Sequence, residues 1–365
     1  MTRIDSYISS SFLRGCLPVL ALLLTLFGIL ALSEELENVG EGAYELSDAL
    51  IVVAYTMPAL IVSLLPVTAL LGGLLGLGTL ANNLELVSLR AAAVSPVRIA
   101  VPIVKIALLL IALVLLLQNF VIPRVEYSAA QHRAKTLLTP TQIGYEEPPK
   151  AFSDKEFWTR SRGQFIRIGA MSADRSLADV EIYQFEADGN LSMLLQSPRA
   201  DLLQNNTWLL HNVQQTRVST QRSQTEHKVS VVFESLLNEK ETQALIIPAS
   251  SLSPPDLWRS IRRLEENNMN AKTQKILFWS QISVPVGLLG MALLSLPFLL
   301  GSTRSVPVGQ RITMGAIIGI VYYLVQQISG HLSGLLPVHV AVTVLAPGLL
   351  ILLVALYLLR RASTR

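Results

Sequence analysis

The sequence predicts an all-α bundle of six transmembrane helices with one inserted all-β domain of jelly-roll-like class. Three observations predict it. Of the 365 residues, 51% are hydrophobic and 15% charged, with a mean hydropathy of +0.47, too oily for an ordinary soluble domain. The apolar residues concentrate in 15–123 and 276–359. Between them lies a stretch of water-soluble composition, broken into short alternating segments by turn residues.

Each span follows from the need for about 20 apolar helical residues to cross a hydrocarbon core. Gly15 to Ser33 is 19 residues without a charge, too long for a cleaved signal and therefore a retained anchor. Ala49 to Leu84 is uncharged for 36 residues and contains Pro58 and Pro66. That length predicts one long helix ending near Ala81, its prolines tolerated because neighbours re-satisfy freed carbonyls. The glycines Gly72, Gly73, Gly76 and Gly78 suit close helix approach. The third span runs from about Ile99 to Phe120, with Lys105 near one end where it can snorkel. Ile276 to about Leu300 is the fourth. Ile312 to Leu359, 48 residues without Asp, Glu, Lys or Arg, holds two helices joined by a turn near Ser329–His339.

Charge sets the orientation. Arg3, Arg14, Arg90, Arg98, Lys105, Arg304, Arg311, Arg360, Arg361 and Arg365 fall on one side. The short loop on the other carries Glu34, Glu35, Glu37, Glu41, Glu45 and Asp48 with no base. By the positive-inside rule both termini are cytoplasmic and the β domain lies outside.

The domains then read as 1–123 (spans one to three, with a cytoplasmic helix near 81–98), 124–252 (the β domain), 253–272 (an amphipathic helix) and 273–365 (spans four to six). Strands are expected at 156–160, 164–170, 179–187, 190–197, 207–211 and 227–234, with Asp188-Gly189 as a hairpin turn. Val229, Val231 and Phe233 alternate with Lys228, Ser230 and Val232, which predicts one covered face. In the amphipathic helix Ser253 caps, Pro254 suits the first turn and Asp256 complements the dipole. Leu257, Ile261 and Leu264 form its apolar stripe, with Arg259, Arg262 and Arg263 elsewhere, placing it at the outer membrane surface, where its arginines could meet an anionic headgroup.

Several chemistries are excluded. There is no P-loop, H-E-x-x-H, C-x-x-C or G-x-S-x-G motif. No cofactor, metal or nucleic-acid partner is expected of this chain. The single cysteine, Cys16, cannot form an intramolecular disulfide and reads as a buried thiol. The five histidines lack ligand spacing, and the spans lack the deep charges of an ion relay.

Four stretches carry a resemblance. They are Arg3-Ile-Asp5-Ser-Tyr7-Ile8, the glycine-rich run from Ala69 to Ala81, Leu84-Glu85-Leu86 through Arg90-Ala-Ala, and Arg304-Ser305-Val306-Pro307-Val-Gly309-Gln-Arg311. With the three-plus-three span order they resemble the lipopolysaccharide-export permeases of the LptF/LptG family, most closely its LptG branch. That resemblance implies a non-enzymatic permease half of an ABC transporter in the bacterial inner membrane. It would pair with an LptF-like permease and take its ATP and magnesium chemistry from a separate LptB-like ATPase. The pair would draw lipopolysaccharide from the membrane into an apolar cavity and pass it to a bridge made with the β-jelly-roll proteins LptC and LptA.

The resemblance also assigns sites. Glu85, Ser88, Leu89 and Arg90 would seat the cytoplasmic helix in the ATPase, with Ala93 standing where glycine is expected. Arg124, Arg133 and Lys135 would meet lipid phosphates. Phe27, Leu30, Ile317 and Ile320 would line the cavity. Glu35-Leu36-Glu37-Asn38 stands where some relatives carry lysines thought to meet phosphate, and acids there would repel phosphate unless a divalent cation bridged them. Two rival readings stay open at this point: an ABC permease for another lipid or for lipoproteins, and a non-transporting scaffold or sensor with an extracytoplasmic β domain.

Overall fold

A computed structural model describes residues 3–40, 43–137, 157–161, 164–171, 176–185, 190–203, 207–218, 223–234, 251–266, 270–300, 308–335 and 339–363. Six of its helices are long and apolar enough to cross a membrane. The chain divides into two compact units. One comprises Met1–Glu34, Val53–Glu126 and Ala249–Arg365; the other comprises Glu35–Val52 and Tyr127–Pro248.

In the first unit, α1 (Arg3–Leu36) and α2 (Leu46–Asn82) carry the first two spans, and α2 ends within a residue of the expected Ala81. The short α3 (Glu85–Ala91) links α2 to α4 (Pro96–Leu116). Ser95 caps α4 by accepting the Arg98 N–H, and Pro96 occupies the first turn, where its missing N–H costs nothing. The third span does not stop at Phe120. It passes through a π-helical segment, Leu117–Val121, into α5 (Ile122–Leu137). The π turn absorbs one extra residue without breaking the helix, and no hydropathy pattern reveals that. After the β domain come α6 (Pro254–Glu266), α7 (Lys272–Leu300), α8 (Val308–Leu335) and α9 (Val340–Ser363).

Small residues set the packing. A Cβ on Gly72 would lie 2.5 Å from Cys16 Cα, and one on Gly76 would lie 2.1 Å from the Ser11 carbonyl oxygen. The backbones of α1 and α2 therefore touch with only hydrogen between them, and Cys16 is buried in that contact. Gly78 takes no part: its added Cβ would sit 3.8 Å from Leu299, an ordinary contact. Gly290 likewise brings α7 against the α9 backbone, where an added Cβ would lie 2.9 Å from Leu352 N.

Burial is uneven among the spans. In their most apolar windows α2 is 72% buried and α7 61%, whereas α1 is 17%, α8 22% and α9 28%. The first two are scaffold; the others present long apolar faces outward.

In the second unit the six expected strands all form: β1 (Phe157–Ser161), β2 (Gln164–Met171), β3 (Leu177–Phe185), β4 (Leu191–Leu202), β5 (Thr207–Val218) and β6 (Ser223–Glu234). They pair antiparallel in sequential order in one sheet. The all-β class is as expected; the described strands run as a meander, without the crossovers that define a jelly roll. Strands β4 to β6 each run to 12 residues, longer than their apolar alternation indicated. Pro198, which cannot donate to a ladder, sits where the β4–β5 pairing skips and Asn212 has a φ of +49°, a tolerated irregularity. Ile166, Ile168, Val180, Ile182, Trp208, Leu210 and Val213 form the covered face. On β6, Val231 and Phe233 pack against that face, but Val229 is 85% exposed; the alternation held for two of the three. The turn at Asp188-Gly189 lies outside the described residues.

Helix α6 is capped as its sequence predicts: Ser253 Oγ accepts the Asp256 N–H at 3.4 Å. Its stripe is covered by protein, with Leu257 and Ile261 both buried, because the helix lies on α7.

Candidate functional site

Three places hold the residues that the sequence singled out. The first is α3 and its surroundings. Leu84 before the helix and Ala93 after it both have a φ of +59°, the left-handed region that costs a side-chain-bearing residue about 1–2 kcal/mol. Ala93 thus takes the conformation expected of glycine. The Ala93 N–H donates to Arg90 O (3.0 Å) and the Val94 N–H to Leu89 O (3.1 Å), the paired bonds of a Schellman end. Leu86 is buried and anchors the helix. Leu89 packs partly against the core, while Ser88, Arg90 and Ala92 are exposed. Glu85 is half-buried and hydrogen-bonded to the Tyr7 hydroxyl of α1.

Sequence reasoning missed the charge beneath this helix. Asp5, 3% exposed, pairs with Arg98 at 2.8 Å and with Lys105 at 3.1 Å. Lys105 therefore serves a buried carboxylate. The available signal was the spacing of Arg98 and Lys105, two helical turns apart on one face of α4, with one acid in the apolar start of α1.

The second place lies in the other unit, where the end of α1, the start of α2 and the end of α5 meet. Glu35 pairs with the Arg133 guanidinium and accepts the Tyr44 hydroxyl at 3.0 Å. Tyr44 is 1% exposed; burial first, then its bond to Glu35, pushes its pKa up to about 12, so it donates at every physiological pH. Asp48 accepts the Glu45 N–H at 2.9 Å and lies 2.7 Å from the His132 ring. The Ala43 N–H donates to Thr136 O at 2.9 Å, closing the loop onto α5. Arg133 is thus neutralised by the acid that the sequence placed against it as a repeller of phosphate. Arg124 belongs to the first unit and is exposed on α5; the Lys135 side chain lies outside the described residues. Among the described residues no three His, Cys, Asp or Glu side chains gather closely enough to hold a metal ion.

The third place is the outward face of α1 and α8. Phe27 packs edge-on against Tyr323 with ring centroids 5.3 Å apart. Leu30, Ile317 and Ile320 are each more than half exposed, as are Leu22, Leu26 and Ile29 along α1 and Val321, Leu324 and Ile328 along α8. An apolar strip this long is unusual on a soluble surface and ordinary where lipid or another apolar surface covers it.

Known proteins bear on what this arrangement does. The family described as "Lipopolysaccharide export system permease LptF/LptG" matches residues 6–361. The lipopolysaccharide export system permease protein LptG of Haemophilus influenzae is 30% identical over 362 residues, covering 99% of both chains. The protein of the same name from Escherichia coli K12 is 26% identical, covering 99% of this chain and 98% of its own.

Proposed function

The chain belongs to the LptF/LptG family of lipopolysaccharide export system permeases, and from that premise we propose that it is the LptG-like half of a two-permease transporter. It is a multi-pass inner-membrane protein of the lipopolysaccharide export system, which sets aside the scaffold and the carrier of another lipid. In the finer reading both termini are cytoplasmic and the β domain is periplasmic, as the basic and acidic loops require. An LptF-like partner completes the cavity and an LptB-like ATPase supplies ATP hydrolysis with its magnesium. LptC and LptA continue the path from the β domain.

The observation that carries this reading is the exposed apolar face of α1 and α8. Lipid exposure to water costs about 0.8 kcal/mol per CH₂, on the order of 10 kcal/mol for one chain of a dozen carbons. A carrier must keep such chains covered at each step, and Phe27, Leu30, Ile317 and Ile320 supply the wall. At the other place, a lipid phosphate takes Arg133 from Glu35. A carboxylate and a phosphate both bind guanidinium as charged acceptors, so Glu35 holds the arginine until cargo replaces it. Helix α3 offers Glu85, Ser88, Leu89 and Arg90 to the ATPase.

One experiment tests both halves. Photo-crosslinkers at Leu30 and Ile320 in cells should capture lipopolysaccharide. Glu35→Gln should raise the lipopolysaccharide retained by the purified complex by up to about fivefold, the scale of one partly exposed charge contact. Arg133→Gln added to it should abolish the gain. Capture of phospholipid alone would remove the cavity wall, and a gain that survives Arg133→Gln would remove the phosphate site.

A further inference from the structure

Where the π segment widens the third span, a cavity of about 520 Å³ opens between Leu115, Gln118 and Asn119 on one side and α6 and α7 on the other. Its size is that of a small-molecule site. Trp258, Phe278, Ile282, Pro285 and Val286 make most of its wall. The three amides that reach it are turned away. Gln118 donates to Gln281 O (3.3 Å), Gln281 to Leu252 O (3.2 Å) and Asn119 to Leu115 O (2.7 Å). Each amide NH₂ thus spends one of its two donors on a backbone carbonyl, and the Gln118 and Gln281 amide oxygens are buried without a hydrogen-bond partner. The cavity offers a ligand almost nothing but hydrocarbon.

Its mouth is different. Trp258 is 45% exposed and packs tilted against Phe278 with ring centroids 5.4 Å apart. The Arg262 guanidinium lies 5.7 Å from the Trp258 ring centroid. Its neighbour Arg259 is tied to Asp256 at 2.6 Å, so Arg262 is the cation held at this rim by an aromatic ring. A greasy slot closed by an aromatic–guanidinium pair complements one class of molecule: an acyl chain ending in a phosphate.

We propose that this cavity is a binding site for a resident anionic membrane phospholipid, one acyl chain between the π segment, α6 and α7 and its phosphate on Arg262. The site is separate from the α1–α8 face and does not depend on the cargo assigned there. A bound chain fills the groove that the π turn opens and fixes α6 against α7.

The test uses the purified full-length chain with its co-purifying partners, reconstituted in phosphatidylethanolamine vesicles with a trace of phosphatidylglycerol bearing a photoactivatable acyl chain. Labelling should map to peptides containing Trp258 or Phe278 and should be competed by unlabelled phosphatidylglycerol but not by phosphatidylcholine. Ile282→Trp, or Leu115→Trp from the opposite wall, should remove it. Arg262→Gln, on an exposed position that leaves folding intact, should reduce it about tenfold, the ratio for one charge-assisted phosphate contact. Equal labelling in Arg262→Gln, or equal competition by phosphatidylcholine, would reduce the site to general lipid contact and overturn the proposal. Preferential competition by lipopolysaccharide would also overturn it, by assigning the cavity to cargo.

Discussion

The triad of Asp5, Arg98 and Lys105 yields an asymmetric prediction. The Asp5 side chain is 4% exposed, whereas Arg98 and Lys105 are 44% and 43% exposed. Losing the acid leaves two cations that can turn toward water, so Asp5→Asn should cost about 1 kcal/mol, the scale of exposed pairs. Losing both cations leaves a carboxylate sealed between helices. Arg98→Gln with Lys105→Gln should therefore cost about 3–5 kcal/mol, the penalty for an uncompensated buried charge. Adding Asp5→Asn to that double variant removes the stranded charge and should recover most of the loss.

Amide hydrogen exchange over α1 and the start of α4, in the detergent-purified chain, reads these as local opening. At 1.4 kcal/mol per tenfold, the double variant should exchange there about 10² to 4 × 10³ times faster than the parent and the triple variant about fivefold faster. If Asp5→Asn alone matches the double variant, or the triple gives no recovery, the carboxylate is not the element whose burial decides the outcome.

Two further outcomes follow from geometry. Gly76→Ala should separate α1 from α2 and lower stability by about 1–3 kcal/mol, because its methyl group would stand 2.1 Å from Ser11 O; Gly78→Ala, with a 3.8 Å contact, should be neutral or stabilising in the same thermal assay. In the sheet, burial raises the Glu181 pKa, but bonds from Tyr183 and Gln196 and the Arg167 charge outweigh it and hold the group below 4.5. A depressed carboxylate stabilises the fold above its unfolded pKa and loses that contribution as pH falls through the folded value. Protease resistance of β3 should therefore weaken below about pH 4.5, and Glu181→Gln should flatten the dependence.

Hydropathy was enough to place the helices because lipid permits almost no other arrangement of backbone. The ends of α2 and the break between α8 and α9 were legible from where charge and turn residues stand. The π segment was not, since Leu117 to Val121 reads as plain helix and the bulge comes from packing. The strands were legible as positions but not as lengths, because Gln214, Gln215 and Thr216 continue β5 through backbone pairing with β6. At the site, the identity of Arg133 and Glu35 was visible but their union was not: the two lie 98 residues apart and only the fold brings them together. Read separately, they suggested a phosphate binder and a phosphate repeller. Together they form one ion pair.

The division within α1 carries the coupling argument furthest. Its buried residues are Asp5, Ile8, Ser9, Ser11, Phe12, Gly15 and Cys16; beyond Pro18 none is buried, and that half bears Phe27 and Leu30. The first half is bound to α2 through the glycine contact, to α4 through Asp5, and to α3 through Tyr7 and Glu85. The start of α1 is therefore part of the scaffold, while beyond Pro18 the helix is held by the Phe27–Tyr323 contact, by Leu23 against the core and, at its end, by the Glu35–Arg133 pair. Proline removes one backbone hydrogen bond and crowds the preceding turn, which weakens the helix between the anchored half and the exposed apolar half. Pro18→Ala restores the bond and should stiffen the helix by up to about 3 kcal/mol. Crosslinking of lipopolysaccharide at Leu30 should then persist while export per ATP hydrolysed falls. Normal export in that variant would mean that the helix moves as one rod and that the hinge is only a kink.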